Sequence, residues 1–182
     1  MIISDIKTQK VTIYTEVDCI KDGKGNNYRY RLYKKWSDKP NAVAIMLNPS
    51  KASLVESDNT VTNITNHFYN RGFGSLTILN LFSYMNTDSK KLINSKKEYE
   101  DINIEILKKY IRDADEILVG WGIPKSYNKE IRHIIKKKIK LVEEFLSENN
   151  YEDIVYSFRT NKNKALHPVV IRNNYKYKKH FE

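Results

Sequence analysis

The hydrophobic rhythm of this chain changes once, near residue 40. Before that point apolar and polar residues alternate, first in Val11-Thr-Ile-Tyr-Thr-Glu-Val17 and again in Tyr28-Arg-Tyr-Arg-Leu-Tyr33. A period of two marks strands with one buried face and one wet face. Between them, Lys21-Asp-Gly-Lys-Gly-Asn-Asn27 carries an Asp-Gly step and a second glycine, so a hairpin is expected over about residues 11–36.

After residue 40 the alternation gives way to solid apolar runs. Ala42-Val-Ala-Ile-Met-Leu47, Leu76-Thr-Ile-Leu79 and Ile117-Leu-Val119 read as strands covered on both faces, with a shorter one at Ile154-Val-Tyr156. Helical spacing fills the gaps. Val61, Ile64, Thr65 and Phe68 recur behind Asp58 or Asn59, with Gly72 where a left-handed cap belongs. Ser95-Lys-Lys-Glu98 reads as a capping box opening a helix whose apolar face is Tyr99, Ile102, Ile106, Leu107, Tyr110 and Ile111. A last helix is predicted from about Tyr127 to Leu146. Alternating strands and helices predict an α/β fold, with a mostly parallel central sheet flanked by helices and the hairpin at its N-terminal end. The chain reads as a single domain, its core over about residues 42–170 and a basic tail over 171–182; no repeat, linker or low-complexity segment interrupts it.

Composition narrows the function. A chain of 182 residues buries a core without staples, and its one cysteine, Cys19, excludes a disulfide framework within the chain. The first ten residues have no signal-peptide core and no apolar run reaches a bilayer's width, so a cytoplasmic location without membrane association is expected. The net charge of +10 favours polyanions, although a diffuse lysine excess also follows from composition alone. Lys136-Lys-Lys138 with Lys140 reads as a solvated helix face, and Tyr175-Lys-Tyr-Lys-Lys-His180 as a tail suited to single-stranded nucleic acid or simply frayed. No metal-ligand spacing and no glycine-rich phosphate loop is present, so no metal or cofactor is expected.

The chemistry gathers where the apolar runs stop. The first ends in Asn48-Pro49-Ser50-Lys51, the second in Asn80-Leu81-Phe82-Ser83 and the third in Gly120-Trp121-Gly122; the fourth region leads to His167-Pro168. Taken singly, each has an ordinary meaning: Asn48 opens a turn before proline, Asn80 satisfies a loop, Trp121 packs and His167 is a hydrogen bonder. Taken together, they stand at the carboxyl ends of strands, where open parallel sheets bind ligands.

These residues carry a resemblance. Arg31-Leu32 with Trp36, Met46-Leu-Asn-Pro-Ser50 with Ala52, Asp58 with Thr60, Asn80-Leu-Phe82, Trp121-Gly122 and His167-Pro168 resemble domain of unknown function 1643, in order from about residue 28 to 170. The order of strand endings is also similar, more distantly, to the uracil-DNA glycosylase superfamily. That similarity implies a three-layer sandwich. It also implies that Asn48 positions water, Asn80 hydrogen-bonds the base, Trp121-Gly122 ends the third strand and His167 supports charge on the departing base. Ser50 and Asp58 follow as a phosphate contact and a polar support. The match is incomplete. Val169-Val170 stand where the superfamily has a Ser-Pro wedge, Asn48 replaces the more usual Asp, and the base-stacking aromatic has three candidates, Phe68, Tyr69 and Phe82. Two functions are therefore expected to compete. One is a glycosylase-like hydrolase of N-glycosidic bonds in nucleic acid or nucleotide. The alternative is a module that binds a base or nucleotide without chemistry.

Overall fold

The computed structural model describes residues 9–50, 52–86, 92, 95–124, 126–159, 165–169, 171 and 175–182. In chain order the elements are β1 (Tyr14–Lys21), β2 (Asn27–Lys35), β3 (Asn41–Met46), α1 (Asn59–Asn70), β4 (Ser75–Asn80), α2 (Lys97–Ile111), β5 (Glu116–Val119), α3 (Lys129–Glu148), β6 (Val155–Arg159) and β7 (Lys176–Lys179). The strands build one seven-stranded sheet ordered β1-β2-β4-β3-β5-β6-β7.

The four inner strands β4, β3, β5 and β6 are mutually parallel, whereas β1–β2, β2–β4 and β6–β7 are antiparallel. The sheet is therefore mixed, with more antiparallel than parallel pairing along its length. The expectation of a mostly parallel sheet fails for two reasons. The hairpin does not stand apart but joins the sheet, with Leu32 to Lys35 laddered against Ile78 to Ser75. Tyr175 to His180 are not a loose tail. Tyr175 and Tyr177 pack into the core, and that anchors β7 as the far edge strand.

Helices cover both faces, as the solid apolar runs require. Val61, Ile64 and Phe68 of α1 pack on Ala42, Ala44, Met46, Leu76, Ile78 and Leu118. The alternate residues Val43, Ile45, Leu79, Ile117 and Val119 face α2 and α3 through Leu107, Ile111, Ile131, Ile135, Val142 and Leu146. Asp58 caps α1, accepting a hydrogen bond from the Val61 amide at 2.8 Å, and Gly72 at φ 85° ends it. Arg71, at the helix end, binds Glu116 through both guanidinium nitrogens, and Tyr177 donates to the same carboxylate at 2.6 Å. Burial, and then the Glu116 charge, push the Tyr177 phenol well above its usual range. Among the described residues no helix is long and apolar enough to cross a membrane.

Two sequence expectations for the helices are corrected by buried polar contacts. Ser95 does not cap α2; its hydroxyl donates to Glu100 at 2.6 Å, and Lys96 occupies the cap without a side-chain bond. The buried stripe of α2 is Glu100, Asn103, Leu107 and Ile111, which leaves Ile102 exposed. Lys138 is likewise not on a solvated face, since its ammonium sits against Glu100 and over the Phe82 ring.

Candidate functional site at the strand ends

In the parallel core the chain passes from β3 outward to β4, then back across β3 to β5 and on to β6. The strand order thus reverses between β3 and β5, and the carboxyl ends of strands at such a reversal form the ligand crevice of open α/β sheets. Asn48, Pro49 and Ser50 leave β3 at this point, and Gly120, Trp121 and Gly122 leave β5.

The segment holding His167 and Pro168 closes directly on these endings. A Cβ at Gly120 would lie 2.9 Å from the Met46 sulfur and 3.0 Å from Cδ of Pro168; one at Gly122 would lie 2.6 Å from the His167 nitrogen. At position 122 the His167 backbone leaves no room for a side chain, whereas at 120 the nearest atom is the flexible end of Met46. From α1, Asn63 donates to the carbonyls of Pro168 at 3.2 Å and Val169 at 2.7 Å, which fixes the segment from the other side. Met46 pairs with Asn80 on β4, so Asn80, Met46, Gly120 and Pro168 form a row across the sheet end.

Asn80 is 1 % exposed, and among the described residues its side-chain nitrogen has no hydrogen-bond partner. Its backbone, by contrast, is held firmly: Asn103 donates to the carbonyls of Asn80 at 2.9 Å and Leu81 at 3.3 Å. Glu100 binds the amide and hydroxyl of Ser83 at 3.0 and 2.9 Å, and Lys138 donates to the Leu81 carbonyl at 2.9 Å. Asn103, Glu100 and Lys138 therefore set the loop after β4. Sequence reasoning missed all three. The signal available was a polar residue inside an apolar helical phase, at Asn103.

His167 is half-buried, and the Val169 amide donates to its Nδ1 at 3.2 Å. Nδ1 is then the bare nitrogen and Nε2 carries the proton. Burial holds the imidazole below its usual value, while the charge of Asp58 pulls the other way. His167 thus offers a neutral N–H donor. Asn48 is half-buried and makes a single weak bond, from Nδ2 to the Pro49 carbonyl at 3.4 Å.

Arg29 is a second residue the sequence did not single out. The β1–β2 register slips between Asp18 and Cys19, leaving Tyr30 unopposed, and this bulge turns Arg29 to the same face as Leu32. Arg29 is 2 % exposed; its guanidinium holds the Ala52 carbonyl and reaches the Ser50 hydroxyl at 3.4 Å, while Nε has no partner. Burial lowers its basicity and the charge of Asp58 restores part of it. Asp58 therefore lies within the electrostatic reach of both Arg29 and His167.

The structure brings Asn48, Ser50, Asp58, Asn80, Gly122 and His167 to one edge of the sheet. Trp121 starts from the same edge, but its ring turns away into the α2–α3 core, 4 % exposed and 5.6 Å from the His180 ring. The stacking candidates do not reach the site either. Phe68 and Phe82 are buried in opposite cores, and Tyr69 is exposed beside Trp36 near the far end of α1. Lys51 and Val170 lie outside the described residues. Among those described, no three His, Cys, Asp or Glu side chains are grouped to hold a metal.

Residues 29–169 match the family described as "Protein of unknown function (DUF1643)". No curated protein and no solved structure matches the chain.

Proposed function

The chain belongs to the DUF1643 family, and we propose that the strand-end site within its matched segment receives a nucleobase and hydrolyses the N-glycosidic bond that carries it. The observation behind this reading is the buried, unpartnered amide of Asn80 on the same sheet edge as the neutral donor His167. An unmade hydrogen bond in the interior costs about 1–3 kcal/mol, which a ligand carrying the matching acceptor removes. A base edge offers such an acceptor next to a nitrogen that becomes negative when the bond breaks.

In this reading Asn80 binds the base edge. The water oxygen attacks the anomeric carbon, the carbon–nitrogen bond breaks, and its electron pair stays on the base nitrogen. His167 Nε2–H stabilises that negative charge. Asn48 aligns the water, which contributes proximity rather than basicity, because an amide cannot take a proton. Asp58 can take it, and its field reaches His167. The similarity of the strand endings to the uracil-DNA glycosylase superfamily supports the assignment, and the net charge of +10 supports a phosphate-bearing substrate.

A second reading is favoured by Asn48 itself: with an amide in the water-activating place, the site binds a base or nucleotide and does no chemistry. Mass spectrometry of base release separates the two, using single- and double-stranded DNA and RNA with modified bases, and free nucleotides. Under the hydrolase reading His167→Ala and Asn48→Ala lower turnover by on the order of 10²–10³, and Asn80→Ala weakens binding as well. Under the binding reading all three weaken affinity and no base is released.

A further inference from the structure

We propose that the first three turns of α3 are a docking face for the phosphate backbone of a nucleic acid. Lys129, His133 and Lys137 stack along the helix at successive four-residue steps, and Arg132, Lys136 and Lys140 form a second row beside them. Every one is exposed except Arg132, which is half-buried with its guanidinium bonded to the Tyr127 carbonyl at 2.7 Å, and Lys140 is paired with Glu144 at 3.3 Å. A depression of about 700 Å³ lies among Lys129, Glu130, Arg132, His133 and Lys136.

The arrangement works against the helix that carries it. Like charges four residues apart, as in Arg132–Lys136 and Lys136–Lys140, destabilise a helix by about 0.2–0.5 kcal/mol per pair. Cations also sit poorly at a helix N-terminus, where the backbone dipole is positive. In α3 the cations crowd the first half, where Glu130 is the one acid of the first turn, while Glu143, Glu144 and Glu148 occupy the second half and the last turn has no basic residue. The neighbouring helix shows the opposite, stabilising order, with Glu98 and Glu100 in its first turn and Lys108 and Lys109 in its last. A row of phosphates along α3 removes the repulsion and releases counterions.

Position and length fit the same occupant. α3 follows β5 and runs back along the sheet, so its N-terminus stands at the carboxyl ends of the strands, the same end as the candidate site but on the face opposite α1. From Lys129 to Lys140 the face runs about 16 Å at 1.5 Å per residue, enough for several phosphates. An anionic membrane is a poorer fit. The apolar stripe of α3, Ile131, Ile135, Val142 and Leu146, is buried and leaves little to insert into lipid. This proposal rests on the reading that a base enters the strand-end site, and it selects a polymer over a free nucleotide as the source of that base.

The test is fluorescence anisotropy of the full chain with a labelled single-stranded DNA of about twenty nucleotides, over a range of salt concentrations. The variant is Lys129→Gln/Lys136→Gln/Lys137→Gln, with circular dichroism to confirm folding. Its affinity is expected to fall about tenfold or more, and the slope of log K against log salt to shrink by about 2, from roughly 0.7 per phosphate contact. Binding of a free nucleotide should not change in this variant, whereas Asn80→Leu should lower nucleotide binding and leave the salt slope intact. A failure of the strand-end site therefore shows separately from a failure of the α3 face. Unaltered affinity and slope in the triple variant overturn the proposal. So does a wild-type protein that ignores DNA but binds phosphatidylserine vesicles.

Discussion

The backbone of His167 lies so close to Gly122 that a side chain at position 122 would meet it at 2.6 Å. The two residues are 45 positions apart in the sequence, and their contact fixes the height of the imidazole above the strand ends.

Gly122→Ala should therefore push the His167 segment off the end of β5. Overpacking of this kind costs about 1–3 kcal/mol, so the variant should fold, with a lower melting temperature. The His167 ring resonances should move, and any base-dependent binding or turnover should fall. Thermal melting together with histidine NMR checks both parts, and unchanged His167 resonances would remove the contact from the argument.

Asn80→Leu should separate function from stability. The native amide nitrogen is buried with nothing to bond, so an apolar side chain of similar size should leave folding free energy unchanged or raise it by about 1 kcal/mol. Binding at the strand-end site should be lost. Urea denaturation and nucleotide titration on the same sample test this pair of outcomes, and a large loss of stability would show that the amide serves the fold.

Lys138→Met should destabilise the protein by about 3 kcal/mol, the low end for breaking a buried ion pair. It falls at the low end because Ser83 and Ser95 still donate to the Glu100 carboxylate. Adding Glu100→Gln should recover part of the loss. A double-mutant cycle by chemical denaturation measures the coupling, and independent, additive effects would deny it.

Acid should weaken the fold through His67. This imidazole is packed against Phe68, Phe158 and Tyr177, and burial lowers its pKa from 6.5 to about 4. The unfolded chain then takes up the proton first as pH falls. His67 thus costs nothing above about pH 6.5 and costs progressively more down to about pH 4, where the loss levels off. Burial pushes His167 in the same direction. Between pH 6.5 and pH 4 the denaturant midpoint should fall less steeply in His67→Phe than in wild type, and equal acid slopes would show that the ring is solvated.

Much of this architecture was legible in the sequence because buried strands and helix ends have local causes. The runs at 42–47, 76–79 and 117–119 read as inner strands, and the sequence bounded a helix by Asp58 or Asn59 and Gly72, of which the structure uses Asp58 as the cap. The polar strand endings did converge on one edge. What escaped was everything fixed by a distant partner. Nothing local says that β2 pairs with β4, that Tyr177 finds Glu116, or that Lys138 turns inward to Glu100. Arg29 alternates like a surface residue, and only the bulge opposite Asp18 and Cys19 aims it at Ser50. Trp121 shows the reverse error: its place in the sequence is at the site, but its ring belongs to the core.

The lysines of β7 have a consequence for self-association. A sheet grows by adding strands to its rims, and on one side this one ends in β7 with exposed Lys176 and Lys178 and with Lys179 paired to Asp153. A second copy approaching that rim edge to edge would have to bring its own strand against a line of ammonium groups, an arrangement that opposes pairing. The other rim, at β1, bears exposed Tyr14 and Ile20 and lacks such a row. Fibrous growth needs both rims to be adhesive, so a charged rim on one side opposes stacking into long aggregates.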